Sequence, residues 1–394
     1  MQNYRVRLES EVSQSYRCTR AANSLDIDAK KKSVHELNIR ADLGGEYNVL
    51  LIVGASGSGK TTLAKQIFGD DCFRDRIDMA KPIIEQLPAD LEYDQCAEIL
   101  GGVGLTSVPC WIRPAYTLSN GQRARAEAAL AMCEQAEITV IDEWTSVVDR
   151  TVAKVMSHCV QKSARRNKKK IALLSCHYDV IEWLDPDLVI DCNEQTFIDR
   201  RLLPPEQRQR SERLNFEIKK VGRHTWPMFS KYHYLSDRLP GGLIETFGVF
   251  HGKNQIGFQC FAEYMPRKKP TDQRVLHSNR TVVHPDYAGF GLGVQIINAT
   301  SQLMVERGFK VMAKFSSVPV YKAFKRSPYW KLQTMDKILG NKQYMLRPER
   351  SKTLRKNTVT YSFKFTGIPR AEYVRAFGRN LDLPDTDLEY LISP

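Results

Sequence analysis

Two kinds of apolar pattern divide this chain. Near the start, Tyr4-Arg5-Val6-Arg7-Leu8 and Ser33-Val34-His35-Glu36-Leu37-Asn38-Ile39 alternate apolar with polar positions, the period of strands in a small sheet with one covered face. Leu51-Ile52-Val53, Ile138-Thr139-Val140-Ile141 and Ile171-Ala172-Leu173-Leu174 are instead short strands that are apolar almost throughout. Between them lie helical patterns at 62–67, 94–100, 126–132 and 151–163. The prolines and charges of Leu203-Pro204-Pro205-Glu206-Gln207-Arg208-Gln209-Arg210 break the pattern, and a domain boundary is expected there. Beyond it, 226–235 reads as an aromatic, amphipathic helix. Thr246-Phe247-Gly248-Val249-Phe250 and Gln255-Ile256-Gly257-Phe258-Gln259-Cys260-Phe261 read as a hairpin around His251-Gly252-Lys253-Asn254. A strand at 280–285, a helix at 294–306 ended by Gly308, a strand at 310–315, a short helix at 318–324 and a strand at 359–365 follow. The tail ends in an acidic, helical stretch at 382–390. The expected class is α/β, with a second, α+β domain.

The first apolar strand runs straight into Gly54-Ala55-Ser56-Gly57-Ser58-Gly59-Lys60-Thr61-Thr62. Gly54, Gly57 and Gly59 permit backbone angles closed to other residues, so a loop of this kind can wrap a phosphate and point its N–H groups inward. Lys60 can reach the β- and γ-phosphates, and Thr61 can offer its hydroxyl to Mg2+. The helix from Thr62 presents its positive end to the anion. Further along, Ser119 and Gly121 precede an alanine-rich helix and make either an N-cap or a second anion site. The strand 138–141 ends in Asp142-Glu143. Adjacent acids there suit a cation held by the first and a water polarised by the second. The strand 171–174 leads through Ser175-Cys176 to His177, a candidate γ-phosphate contact.

In this order the motifs resemble those of the ATP-binding cassette (ABC) ATPase family, over about residues 1–200. The resemblance implies a P-loop domain at 1–203 with a Walker A loop from Gly54 to Thr61, including Ser56 and Ser58, and a Q-loop at Gln86 that also reaches the metal. It makes Leu118-Ser119-Asn120-Gly121-Gln122 the signature and Asp142-Glu143 the end of Walker B. The D-loop falls at Ser146-Val147-Val148-Asp149, and His177 is the switch histidine. Asp142 would hold Mg2+ and Glu143 activate water. Asn120 stands where the signature usually has glycine, and Trp144 where transporters usually have proline. The stretch between Lys60 and Leu118 leaves little room for a permease-docking subdomain, so no membrane permease is expected as partner. The resemblance also implies an ATP-sandwiched homodimer, with Ser119 and Gly121 acting on the other subunit's nucleotide. In ATPases of this layout an early aromatic often stacks on adenine, and Tyr16 is the candidate.

In the second half, a strand leads into Asp286-Tyr287-Ala288-Gly289-Phe290-Gly291-Leu292-Gly293 and a helix, again a turn that can grip a pyrophosphate with N–H groups. With the strand at 310–315 and the short helix bearing Tyr321, this half resembles GNAT-type N-acyltransferases over about 213–365, after a linker at 204–212 and before a tail at 366–394. The resemblance implies acetyl-CoA or another acyl-CoA gripped by Gly289, Phe290, Gly291, Leu292 and Gly293, with Tyr321 protonating the leaving thiolate. The stretch 226–235 looks like its counterpart in phage Mom-type DNA-modifying GNAT proteins, which makes His233 a catalytic or substrate-binding candidate. Ala288 stands where these enzymes usually carry arginine or glutamine.

Composition narrows the partners. The 394 residues carry a formal net charge of +13, which makes a polyanion a plausible partner and favours nucleic acid, DNA first. Arg165-Arg166-Asn167-Lys168-Lys169-Lys170 is either a solvated helix end or a phosphate contact. Arg267-Lys268-Lys269, Tyr321-Lys322-Ala323-Phe324-Lys325-Arg326 and Tyr329-Trp330-Lys331 interleave cations with aromatics, as a base-stacking surface would. Nine cysteines without a C-x-x-C pair suit reduced, mostly buried thiols, and the absence of a signal peptide or a membrane run suggests the cytoplasm. Two rivals to DNA modification stay open: a DNA clamp with a catalytically inactive GNAT fold, and a protein or small-amine acyltransferase regulated by the ATPase.

Overall fold

The early alternation is realised as a two-stranded antiparallel sheet, β1 (Gln2–Ser10) with β2 (Ser33–Ala41), joined through α1 (Tyr16–Ser24). Tyr4 lies opposite Ile39 and Val6 opposite Leu37; all four are buried, while Arg5 and Asn38 between them are exposed. The computed structural model describes residues 1–10, 13, 15–24, 33–204, 207, 216–233, 238–242, 244–263, 272–289, 291–337, 359–377 and 390–392. The chain forms two units, Met1–Ala80 with Leu118–Ser211, and Lys81–Thr117 with Glu212–Pro394.

In the first unit, β3 (Val49–Val53) is followed by α2 (Lys60–Phe68). After α3 (Tyr93–Gly102) and α4 (Val108–Trp111), which belong to the second unit, come α5 (Asn120–Cys133), β4 (Ile138–Ile141), α6 (Arg150–Arg166), β5 (Lys170–Ser175), α7 (Val180–Leu184), β6 (Leu188–Asp191) and β7 (Thr196–Asp199). The strands form one sheet in the order β4-β5-β3-β6-β7, parallel except for β7. Leu50 and Ile52 pack with Tyr4, Val6, Leu37, Ile39 and Leu63, so β1, β2 and α2 cover one face. Val49, Leu51 and Val53 are equally buried on the other, which is why β3 reads as one apolar run.

The second unit adds β8 (Phe216–Lys220), α8 (Pro227–Ser230), β9 (Ile244–His251), β10 (Asn254–Ala262), β11 (Val275–Val283), α9 (Leu292–Glu306), β12 (Lys310–Phe315), α10 (Val318–Arg326), β13 (Trp330–Lys337), β14 (Val359–Phe365), α11 (Arg370–Phe377) and β15 (Tyr390–Ile392). Its eight strands run β13-β14-β12-β11-β10-β9-β8-β15, antiparallel except for β11 beside β12. That parallel pair joins Val275 through Ser278 to Lys310 through Ala313. Beyond it β11 stays with β10 while β12 stays with β14, so the sheet forks between them.

The hairpin at 251–254 closes with His251 opposite Asn254. The helix expected over 226–235 is shorter, Pro227–Ser230, with Trp226 and Phe229 sharing a buried face at helical spacing. Tyr234 and Leu235 lie outside the described residues, as do 382–389 of the expected helical end; Tyr390 is in β15, paired with Ile218. Among the described residues no helix is long and apolar enough to cross a membrane.

Candidate functional site: a phosphate-binding loop and a forked sheet

The glycine loop is built as its spacing requires. Gly57 and Gly59 hold φ of 79° and 89°, and Gly59 caps α2 in the left-handed region. A Cβ on Gly59 would lie 2.6 Å from Leu37 Cδ1, whereas one on Gly57 would meet nothing within 4 Å. The difference makes a prediction. Gly57→Ala carries only backbone strain, about 1 kcal/mol, while Gly59→Ala adds the collision with a core leucine and loses about 3 kcal/mol. Paired urea melts should rank them in that order, and equal midpoints would contradict the packing of α2 on β2.

Lys60 is 8 % exposed and donates from Nζ to the Gly54 and Ala55 carbonyls, both at 2.8 Å. An ammonium spanning the loop from inside is placed to turn toward a phosphate held by the same loop. Ser56 is exposed at the tip, and the Ser58 hydroxyl is buried with no hydrogen-bond partner among the described residues. The Asn193 side chain accepts from the Ala55 N–H at 3.1 Å and so anchors the loop from the end of β6. Cys192, against Gly54, has its thiol pushed up to about 12 by burial, which leaves it an inert wall.

The acids at the end of β4 differ in surroundings. Asp142 accepts from the Thr61 hydroxyl through Oδ2 at 2.9 Å and from the Glu143 N–H through Oδ1 at 2.8 Å. Thr61 and Asp142 thus offer hard oxygen donors of the kind Mg2+ takes alongside phosphate and water. Among the described residues no group of three or more His, Cys, Asp or Glu could hold a metal ion. Glu143 is exposed, sits at φ 51°, and accepts from the Ser146 hydroxyl at 2.5 Å. A left-handed glutamate at the tip of a strand is aimed by backbone strain rather than by propensity. Trp144 behind it is buried: its N–H donates to the Leu174 carbonyl at 2.7 Å and its ring N–H to Ser157 at 2.9 Å. Ser175 then donates to the Trp144 carbonyl at 3.0 Å and accepts from the His177 N–H at 3.1 Å, tying His177 to the Glu143 turn.

The remaining nucleotide candidates have structural duties of their own. Ser119 caps α5, with its hydroxyl accepting from the Gln122 N–H and the Gln122 side chain accepting from the Ser119 N–H. Gly121 leaves 3.2 Å between a would-be Cβ and Val152 on α6. Asp149 caps α6 through the N–H groups of Thr151 and Val152. Gln86 belongs to the second unit, where its amide donates to the Lys81 and Pro82 carbonyls. Tyr16, the adenine-stacking candidate, starts α1 and is exposed. Thr62 lies in the first turn of α2, half-buried.

In the second unit, Gly289 and Gly291 hold φ of 111° and 87°, and a Cβ on Gly291 would meet nothing within 4 Å. Gly291 caps α9, Leu292 is buried, Gly293 faces Val283, and Phe290 lies outside the described residues. Tyr321 on α10 stacks on Tyr361 with ring centroids 4.1 Å apart. His233 packs edge-on against Trp226 at 5.7 Å. Neither candidate anticipates a polar group nearby, in which the Tyr232 hydroxyl meets His284 Nε2 at 3.0 Å and His284 Nδ1 faces Asp286. Its members lie just after β11 and just after α8, so only the fold reveals the contact.

The basic runs are more committed than their composition suggested. Arg165 pairs with Gln161 and Asp187, Lys169 donates to the Glu134 carbonyl, and Lys170 pairs with Glu137, so much of the run at 165–170 is held inside the chain. Trp330 and Phe324 are buried, Tyr329 donates to Glu372 and Lys322 pairs with Glu98, which removes these rings and charges from the expected stacking surface. Arg267-Lys268-Lys269 lies outside the described residues.

No family model matches the chain, and no curated protein matches it. Among solved structures, it is similar to a dimeric ATP-binding cassette bound to ADP and phosphate in a post-hydrolysis state. There the identity is 13 %, the match covers 44 % of this chain and 94 % of that one, and the TM-score is 0.35. It is also similar to a protein assigned as a cobalt-transport ATP-binding protein, at 19 % identity over 49 % of this chain and 79 % of that one, with a TM-score of 0.34. A third structure, assigned as a GNAT-family acetyltransferase from Desulfovibrio desulfuricans, matches 31 % of this chain and 67 % of its own at 12 % identity and a TM-score of 0.23.

Proposed function

We propose that the chain is an ABC-type ATPase whose nucleotide cycle serves a GNAT-like acyl transfer by its second unit, with DNA as the favoured acceptor. The observation that carries the first half is the 2.9 Å contact between Thr61 and Asp142 beneath a loop whose lysine spans it from within. In this reading Lys60 and the loop N–H groups would bind the phosphates, and Thr61 and Asp142 would hold Mg2+. The ion supplies charge neutralisation at the terminal phosphates when bound. Glu143 orients and deprotonates the attacking water, and His177 touches the γ-phosphate. Ser119, Gly121, Gln122 and Asp149 complete the nucleotide site of a second copy, which gives the homodimer its ATP dependence.

For the second half, support comes from the open glycine turn at Gly291 and from the fork where β11 and β12 cease to pair. Tyr321 would protonate the leaving thiolate, and His233 would line the acceptor side. Support for DNA is the net charge of +13. Ala288, buried at 7 % exposure, offers no cation to a pyrophosphate, and that favours a second reading in which the unit only binds its target. Two measurements separate them. Calorimetry with acetyl-CoA should show binding to the wild-type chain. Nucleosides from DNA and RNA of expressing cells should carry an added acyl mass that a Lys60→Ala variant lowers at least tenfold, since removing a charge-assisted phosphate contact weakens ATP binding by about 2–3 kcal/mol. No heat with acetyl-CoA would leave the binding module as the better account.

A further inference from the structure

We propose that Tyr232, His284 and Asp286 form the proton relay that activates the acceptor amine, an inference that rests on the acyl-transfer reading above. The Tyr232 hydroxyl meets His284 Nε2 at 3.0 Å. On the other side of the ring, Nδ1 lies 3.4 Å from Asp286 Oδ2 and 3.4 Å from the Asp286 N–H. Each tautomer of the imidazole therefore has two partners. With the proton on Nδ1 the ring donates to the carboxylate and accepts from the tyrosine; with it on Nε2 the ring donates to the tyrosine oxygen and accepts from the Asp286 N–H. A ring with a partner at each nitrogen can take up a proton on one side while the other stays held.

Its place in the fold favours chemistry over bracing. Along β11 side chains alternate, so His284 continues the face of Val282, which packs with Trp226, Phe229 and Phe258. Val283 points the other way, toward Gly293 of α9. The relay is thus on the side of Trp226 and His233, beyond the last residue at which β11 is paired with β12, and a few residues ahead of the open glycine turn. The side chains of His284 and Asp286 are 35 % and 45 % exposed, where a bracing histidine would be enclosed. Nearby Cys260 does not compete as a nucleophile, because burial pushes its thiol up to about 12.

The chemistry balances. The acceptor nitrogen bonds to the thioester carbonyl carbon and the carbon–sulfur bond breaks. The nitrogen's proton passes to the Tyr232 oxygen as that oxygen's own proton moves to His284 Nε2, and the imidazolium is held by the Asp286 carboxylate. The thiolate takes a proton from Tyr321, and solvent returns the relay and Tyr321 to their starting states. Tyr232 touches the substrate; His284 and Asp286 act through it as positioning and proton-accepting groups.

The test uses the full chain, acetyl-CoA and a single-stranded DNA oligonucleotide, with thiol release as the readout. Tyr232→Phe and His284→Ala should each lower kcat about 100-fold while leaving the acetyl-CoA Kd within twofold, the size of effect a general base supplies. Asp286→Asn should lower kcat about tenfold. Added imidazole should restore a good part of the His284→Ala rate, which a merely collapsed site would not allow, and melting temperatures report whether each variant folds. A wild-type chain that transfers while these variants transfer within threefold of it overturns the relay alone. A wild-type chain that neither binds acetyl-CoA nor releases thiol overturns the transferase reading and the relay with it.

Discussion

On the proposed ATPase reading, Glu143→Gln should slow ATP hydrolysis by about a thousandfold and leave ATP binding nearly intact, within the range set by removing a general base. The two acids at the end of β4 differ enough for the effect to be assigned. Asp142 is engaged by the Thr61 hydroxyl and the Glu143 N–H, so it is tied to the loop. Glu143 is exposed, and among the described residues its side chain accepts from the Ser146 hydroxyl. Glutamine keeps that contact through its carbonyl oxygen, fills the same volume, and has no basic oxygen for a water proton. Lys60, Thr61 and Asp142 remain to hold the nucleotide. The variant should therefore accumulate the ATP-bound pair, and its mass in light scattering should double when ATP is added. Hydrolysis within tenfold of wild type would move the base elsewhere, and an unchanged mass with ATP would remove the sandwich from the account.

Much of this site could be read from the chain because its determinants are local. A glycine at a left-handed position, a lysine at the first turn of α2 and two acids after an apolar strand depend on a few neighbouring residues, and Gly57, Gly59, Lys60, Asp142 and Glu143 stand where that pattern puts them. The same holds for Ser119, whose serine-to-glutamine spacing is a capping box in the structure. What could not be read is long-range. Nothing in the local pattern says that Lys81–Thr117, inserted between loop and signature, packs with residues beyond 212, with α3 against α10 and Glu98 paired to Lys322. Nor does composition say which cations are already paired: Arg165 and Lys169 look free in the sequence and are spent within the fold. The aromatic run at 226–235 drew attention to His233, whereas the contact between Tyr232 and His284 joins residues 52 positions apart and follows from the pairing of β10 with β11.

Trp144→Ala should be the most destabilising single substitution considered, at about 4–6 kcal/mol. The ring is 2 % exposed, and truncating a buried tryptophan costs about 3–5 kcal/mol through lost transfer energy and the cavity left behind. The Ser157 hydroxyl, buried beside it at 2.9 Å, loses its donor and adds about 1 kcal/mol or more. Trp144→Phe keeps most of the packing and loses the hydrogen bond, so about 1–2 kcal/mol is expected there. Proline, which the ABC resemblance would place here, has no N–H for the Leu174 carbonyl that Trp144 reaches at 2.7 Å, so this chain secures the turn by a hydrogen bond and a buried ring. Because two units need not unfold together, the relevant transition is the one that ATP shifts upward by mass action. In urea that transition should move far down for alanine and slightly for phenylalanine, with hydrolysis lost in step as the Glu143 backbone relaxes from φ 51°. If alanine and phenylalanine shift it equally, the ring is not what holds the catalytic turn, and the connection from Leu174 through Trp144 to Glu143 does not carry the strain assigned to it.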